Sequence, residues 1–219
     1  MKNGTLILAV IFGLTGCITY LPMHPDELYK MKRSSNIQLP KSCPQIASNY
    51  GDQMGVNGGL RKSPHDGIDM KVPVGTDVIA AQKGKVIIAG FIQCGGNMIW
   101  VDHGRNKAGN AILSSYLHLS KIGVKVGDNI SQGDIIGLSG VSGSDECTTG
   151  TPHLHFEMKA GDNSVKPFDL SYDWPLNVGR VSPHGFWAKS STGEVAHMDS
   201  KTGKIDASEE GFIFPLKCN

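Results

Sequence analysis

Four histidines and one aspartate stand at spacings that would let them converge on a single ion. In His65-Asp66-Gly67-Ile68-Asp69 a histidine and an aspartate lie four residues apart. On an extended segment side chains alternate with period two, so both point to one face, and Gly67 between them adds no side chain to fill the space. His153-Leu154-His155 sets two imidazoles on one strand face and turns Leu154 into the core. In Tyr116-Leu117-His118-Leu119 the same alternation exposes His118 and buries Leu117 and Leu119.

Such a set suits zinc. Two neutral imidazoles and one carboxylate match a borderline ion, and three protein donors leave a fourth position open, as a catalytic site requires. Calcium or magnesium would demand more carboxylates. Bound zinc lowers the pKa of a water from about 15.7 to about 7 and polarises a carbonyl, which is hydrolytic chemistry. That chemistry also needs a proton acceptor and a stabiliser of the oxyanion, roles open to His118 and to the second histidine of the 153/155 pair.

These groups must be positioned by short strands. Val78-Ile79-Ala80, Lys85 to Ala89, Met98 to Asp102, Ala111 to His118, Ile135 to Leu138 and His153 to Met158 are apolar or alternating runs punctuated by glycine. A faint internal echo links Val74-Gly75-Thr76-Asp77-Val78 to Val126-Gly127-Asp128-Asn129-Ile130, each followed by a Gly-x-Val/Ile-Ile run, and implies two related β-units. With 28 glycines and few long helical periodicities, the 219-residue chain is expected to be β-rich with tight turns. Hydrophobic content of 39% and charged content of 19% exclude a disordered chain. A net charge of +1 without like-charge blocks gives a nucleic-acid partner no electrostatic support.

Residues 1–16 form a signal peptide: Lys2 supplies the positive start and Leu6 to Thr15 a short apolar stretch. Leu14-Thr15-Gly16-Cys17 resembles the lipobox of bacterial lipoproteins, which implies cleavage before Cys17, lipidation of its sulfur and stable membrane anchoring by several acyl chains. Residues 17–50, with Pro22, Pro25, Pro40 and Pro44, read as a tether carrying one short helix near Pro25 to Lys32. Residues 51–160 are the core domain and 161–219 a β-rich C-terminal extension. Once Cys17 is lipidated, Cys43, Cys94, Cys147 and Cys218 remain, an even number in an exported chain, allowing three connectivities. The expected pairs are Cys94–Cys147, joining two loops, and Cys43–Cys218, tying the ends.

Residues from about Arg61 to Glu157 resemble the catalytic domain of lysostaphin/LytM-type zinc endopeptidases. The family pattern H-x-G-x-D, HG, Y-x-H-L and H-L-H-F-E stands here, in order, as His65 to Asp69, His103-Gly104, Tyr116 to Leu119 and His153 to Glu157. The resemblance implies an all-β, two-sheet, β-sandwich-like fold of duplicated hybrid motif type with the site in a groove. It implies one Zn2+ per chain bound by His65, Asp69 and His155, with His118 and His153 catalytic. The loop Asp145 to Thr149 departs from the pattern in being longer, and no wall-binding module is apparent in the sequence. His103 reads as structural, held by a backbone hydrogen bond, and His24, His184 and His197 as surface residues. Asp66 reads as solvated, and Glu157 as a structural partner able to orient a ligand.

The activity so implied is zinc-dependent hydrolysis of peptide bonds in peptidoglycan stem peptides or cross-links by a monomer. The competing reading is a non-catalytic activator or wall-binding regulator of another murein hydrolase; intact ligands and both additional histidines weigh against it. By resemblance to envelope lipoproteins, Ile18 in place of Asp after the lipidated cysteine favours an anchor in the outer membrane, facing the periplasm, in a cell that has one.

Overall fold

The computed structural model describes residues 37–107, 109–143, 150–161, 178–188, 192–207 and 211–219. Cys17, the helix expected near Pro25 to Lys32, and the loop containing Cys147 lie outside the described residues. The fold is almost entirely β. Among the described residues thirteen strands run β1 (Ile46–Ser48), β2 (Ile68–Met70), β3 (Asp77–Ile79), β4 (Gly84–Ile92), β5 (Gly96–Arg105), β6 (Ala111–Leu119), β7 (Lys121–Ile122), β8 (Asn129–Ile130), β9 (Ile135–Leu138), β10 (Leu154–Gly161), β11 (Val178–Val181), β12 (Met198–Asp199) and β13 (Lys217–Cys218). One short helix, α1 (His184–Trp187), lies in the C-terminal extension.

The main sheet is antiparallel, in the order β1-β2-β10-β6-β5-β4-β8, with β11 added to β10. A second sheet, β3-β9-β7, has three strands, and β12-β13 form a small parallel pair. The sequence explains which face of the main sheet is apolar. In β10, Leu154, Phe156, Met158 and Ala160 alternate into the principal core, where Ile99, Val101 and Tyr116 meet them. His155, Glu157 and Lys159 occupy the intervening positions and therefore face the other way. On that opposite side Ile88, Met98, Trp100 and Leu117 make a smaller cluster.

The internal echo has a structural counterpart, in which the two units exchange partners. The strand of the first unit, β3, pairs with β9 of the second, with Asp77 opposite Leu138 and Ile79 opposite Ile135. The strand of the second unit, β8, pairs with β4 of the first, Gly84 opposite Ile130. Gly75 and Gly127 turn the chain into these strands at φ 89° and 95°, conformations that only glycine adopts without strain.

Residues 37–50, read from the sequence as the end of a tether, are integrated into the fold. Strand β1 adds to the main sheet beside β2, Gln38 bridges Glu194, and Cys43 is disulfide-bonded to Cys218 across 175 residues. His184, read as a surface residue, is buried at 6% exposure beneath the extension. Its Trp187 partner is local, but Asn49, the partner on its other ring nitrogen, lies 135 residues away, so the sequence around His184 gives no sign of burial. The extension seats Trp187, Phe212, Phe214 and Leu216 in the same core as Phe156, and Trp187 stacks on Phe156 with ring centres 5.4 Å apart.

A cross-link closing so long a loop restricts the unfolded chain strongly. Replacing Cys43 and Cys218 together by serine is expected to lower unfolding free energy by about 2–4 kcal/mol, measured by urea titration against the oxidised wild type.

Candidate metal centre

Strand pairing brings the key residues into one row. Asp69 of β2 lies directly opposite His155 of β10, and His155 lies opposite Leu117 of β6 on its other side. His65 precedes β2, four residues before Asp69, and its backbone is clamped by Gly51 N donating to its carbonyl and by its own N–H donating to Asp52 O. Gly67 permits the approach. A Cβ there would fall on the Phe156 carbonyl and stand 3.0 Å from His155 Nε2.

His118 reaches the site by a different device. Alternation alone would set it on the face opposite Leu117 and Leu119, but the β5–β6 register slips between Asn97/Leu119 and Ile99/Tyr116, and His118 takes φ 61°. This bulge re-aims the imidazole. Leu117 and His118 both line the cavity, while Leu119 joins Tyr116 in the core. A left-handed non-glycine residue costs on the order of 1–3 kcal/mol. Segment Gly140–Ser142 holds it in place: Ser142 N donates to His118 O, His118 Nδ1 donates to Ser142 O at 2.9 Å, and His153 N donates to Gly140 O.

Three donor atoms meet at the centre. His65 Nε2 is 3.0 Å from His155 Nδ1 and 3.1 Å from Asp69 Oδ1, and His155 Nδ1 is 2.8 Å from Asp69 Oδ1. All three side chains are buried. Tetrahedral donors about 2.1 Å from zinc stand roughly 3.4 Å apart, so the cluster need open only by a few tenths of an ångström, about the length of a thermal displacement. The outer atoms of each group are engaged elsewhere. His65 Nδ1 donates to Asn49 O at 2.9 Å, His155 Nε2 faces Glu157 Oε1 at 3.3 Å, and Asp69 Oδ2 accepts from Arg61 Nη2 at 2.6 Å. With those outer partners fixing the tautomers, both inner nitrogens can offer lone pairs to one cation.

Electrostatics support a cation at this point. Burial works against charging His155, yet hydrogen bonds and attraction from Asp69 and Glu157 outweigh it and push its pKa up to about 9. Burial likewise opposes ionisation of Asp69, but hydrogen bonds to His155 and His65 hold it well below the usual carboxylate range. His118 goes the other way: burial, then repulsion from His155 and His153, brings it down to about 4. His153 is also lowered, chiefly by burial. The two imidazoles flanking the cluster are thus neutral at pH 7. Their rings lie 5.0 Å apart, and His153 Nε2 comes within 3.7 Å of Asp69 Oδ1.

A cavity of about 450 Å3 opens over the cluster, bordered by Arg61, Pro64, Ile92 and Met98. Cys94, also on its border, is a disulfide cysteine; Cys147, its expected partner, is outside the described residues. Asp66 is exposed, with Arg180 Nη1 3.6 Å from its carboxylate. His103 does not reach the site; its Nδ1 donates to Lys83 O at 2.8 Å and its Nε2 faces Ser114 Oγ at 2.8 Å.

Several residues of this environment were not singled out from the sequence: Arg61, Asn49, Lys159 and Arg180. Lys159 is the most unusual, an ammonium at 1% exposure. It ion-pairs with Glu157, donates to Ser115 Oγ at 2.9 Å and lies 4.4 Å from the Trp100 ring centre. Its place two residues after Glu157 on an alternating strand was the available signal.

Two histidines and a carboxylate thus converge at the floor of a β-sheet groove, with two further neutral histidines turned toward them. Residues 63–167 match the model of peptidase family M23, and this part of the chain belongs to that family. Among its relatives, the peptidoglycan DD-endopeptidase ShyA of Vibrio cholerae is 35% identical over 173 residues, covering 76% of this chain and 38% of that protein. Lysostaphin of Staphylococcus simulans is 40% identical over 169 residues, covering 74% of this chain and 30% of that protein. The solved catalytic domain of lysostaphin shares 38% identity, covers 56% of this chain and 84% of that one, and superposes with a TM-score of 0.44. The chain thus spans well under half the length of these two curated relatives.

Two substitutions test this description. Gly67→Ala is expected to displace His155 and to lower bound zinc per chain to a small fraction of wild type, read by elemental analysis after gel filtration. Lys159→Met leaves the Glu157 carboxylate buried without its main partner and is expected to destabilise the fold by about 3–5 kcal/mol, read by chemical denaturation.

Proposed function

We propose that this protein is a zinc-dependent endopeptidase that hydrolyses peptide bonds in the stem peptides or cross-links of peptidoglycan. It acts as a monomer with one zinc held by His65, Asp69 and His155, and is anchored through a lipid on Cys17 to the outer membrane, facing the periplasm. The observation that carries the reading is the convergence of the three donor atoms within a family M23 domain, flanked by His118 and His153. The peptidoglycan assignment is supported by the activities named for the relatives: a peptidoglycan DD-endopeptidase and a glycyl-glycine endopeptidase.

When bound, zinc supplies Lewis acidity that polarises the scissile carbonyl and makes a water acidic enough to attack at neutral pH. The remaining steps belong to the chain. His118 and His153 each donate Nδ1–H to a backbone carbonyl, Ser142 O and Thr151 O respectively. Each therefore presents an unprotonated Nε2. One accepts the proton of the attacking water. The resulting imidazolium then faces the oxyanion as a charged donor and returns the proton to the departing amine. Burial keeps both imidazoles in the neutral form needed for the first transfer.

Purified protein loaded with zinc is expected to release peptide fragments from cell walls of defined cross-link type, with the cleaved bond identified by mass spectrometry. His65→Ala and chelator-treated protein should release none, and His118→Ala should lose at least 100-fold in rate while keeping its zinc. Failure of the zinc-loaded wild type to solubilise walls of any cross-link type would overturn the substrate assignment. Fatty-acid labelling that persists in Cys17→Ser would overturn the anchor.

A further inference from the structure

We propose that residues 178–187, which lie beyond the family M23 match, position both histidines of the metal site through two separate hydrogen-bond relays. The inference rests on the reading of His65 and His155 as ligands.

The first relay starts in α1. Trp187 Nε1–H, which can only donate, bonds to His184 Nδ1 at 3.1 Å. That contact fixes the tautomer, so His184 Nε2 carries the proton and donates to Asn49 Oδ1 at 2.9 Å. The Asn49 carbonyl in turn accepts from His65 Nδ1. Tyr50 reinforces the link by donating from its hydroxyl to Arg180 O at 3.0 Å. His65 is thus gripped on its main chain and on its ring by residues 49–52, and those residues are held by the extension.

The second relay starts in β11. Arg180 lies opposite Lys159 in the β10–β11 pair and its Nε donates to Glu157 Oε1 at 3.1 Å. The same oxygen faces His155 Nε2. Glu157 is 3% exposed, so its orientation is set by its partners rather than by water. Arg180 bonds Glu157 and His184 bonds Asn49, so both act through an intermediary as positioning residues. One short segment therefore controls the outer nitrogens of both imidazoles, each through a single intermediary. Removing such outer partners typically weakens metal affinity about 10–100-fold.

The test uses the full chain, with zinc affinity measured by competition against a chromogenic chelator and ligand-field spectra recorded on cobalt-loaded protein. His184→Leu and Arg180→Met are each expected to weaken zinc binding about 10–100-fold and to shift the cobalt bands. His184→Gln keeps an N–H donor toward Asn49 and should recover most of the affinity. Val195→Ala, in the core of the extension but outside both relays, should lower the thermal midpoint and leave zinc affinity unchanged. Wild-type affinity in folded His184→Leu and Arg180→Met would overturn the proposal. So would an equal loss in Val195→Ala, since the extension would then act only as general support. If His184→Leu does not fold, Arg180→Met and His184→Gln decide. A wild type that binds no zinc would instead sink the metal-site reading itself.

Discussion

The face-to-face placement of Asp69 and His155 across the β2–β10 pair is the contact on which the rest of the site depends. A one-residue slip of that register would turn every side chain of β10 to the other side of the sheet. Register is therefore fixed by the apolar set Leu154, Phe156, Met158 and Ala160, which has a core to occupy on only one face. The polar set His155, Glu157 and Lys159 is carried along on the other. Hydrophobic burial on one side of the strand thus sets the position of ionisable groups on the other, with no specific contact required between them.

Burying those ionisable groups is costly, and the structure offsets the cost by pairing each of them. Asp69 is matched with Arg61, and Glu157 with Lys159 and Arg180. His155 lies between the two carboxylates, whose combined attraction favours a positive charge at this point. Such networks are sensitive to the loss of one member, because an uncompensated ion in the interior is far worse than a missing pair. The same closure excludes water from the backs of the imidazoles, leaving the cavity side as their open approach.

Much of this was legible in the sequence. The period-two alternation and the glycines that bound it place β3, β4, β5, β6, β9 and β10 within a few residues of their observed limits. The histidines and aspartate of the centre stand out by type and spacing. What could not be read has a common physical cause. The bulge at His118 depends on a register slip against β5, which no local pattern encodes. Asn49 and Tyr50 follow a proline-dotted polar stretch that reads as a spacer, and their importance comes from His184 and Arg180, more than 125 residues away. His184 receives a local hydrogen bond from Trp187, but its other ring nitrogen is met by Asn49, 135 residues away. Local chemistry predicts local structure; these features are made by chain segments that meet only in the folded state.

The meeting of distant segments has a temporal side. Ribosomes deliver a chain from its N-terminus, so His65 and Asp69 emerge well before His155, and Cys43 waits 175 residues for Cys218. Strand β1 cannot be locked against the extension, nor Asn49 held by His184, until residues 178–218 have arrived. A chain that has emerged only through His155 accordingly carries the residues of the His/Asp cluster without their rigid frame, which waits for residues 178–218.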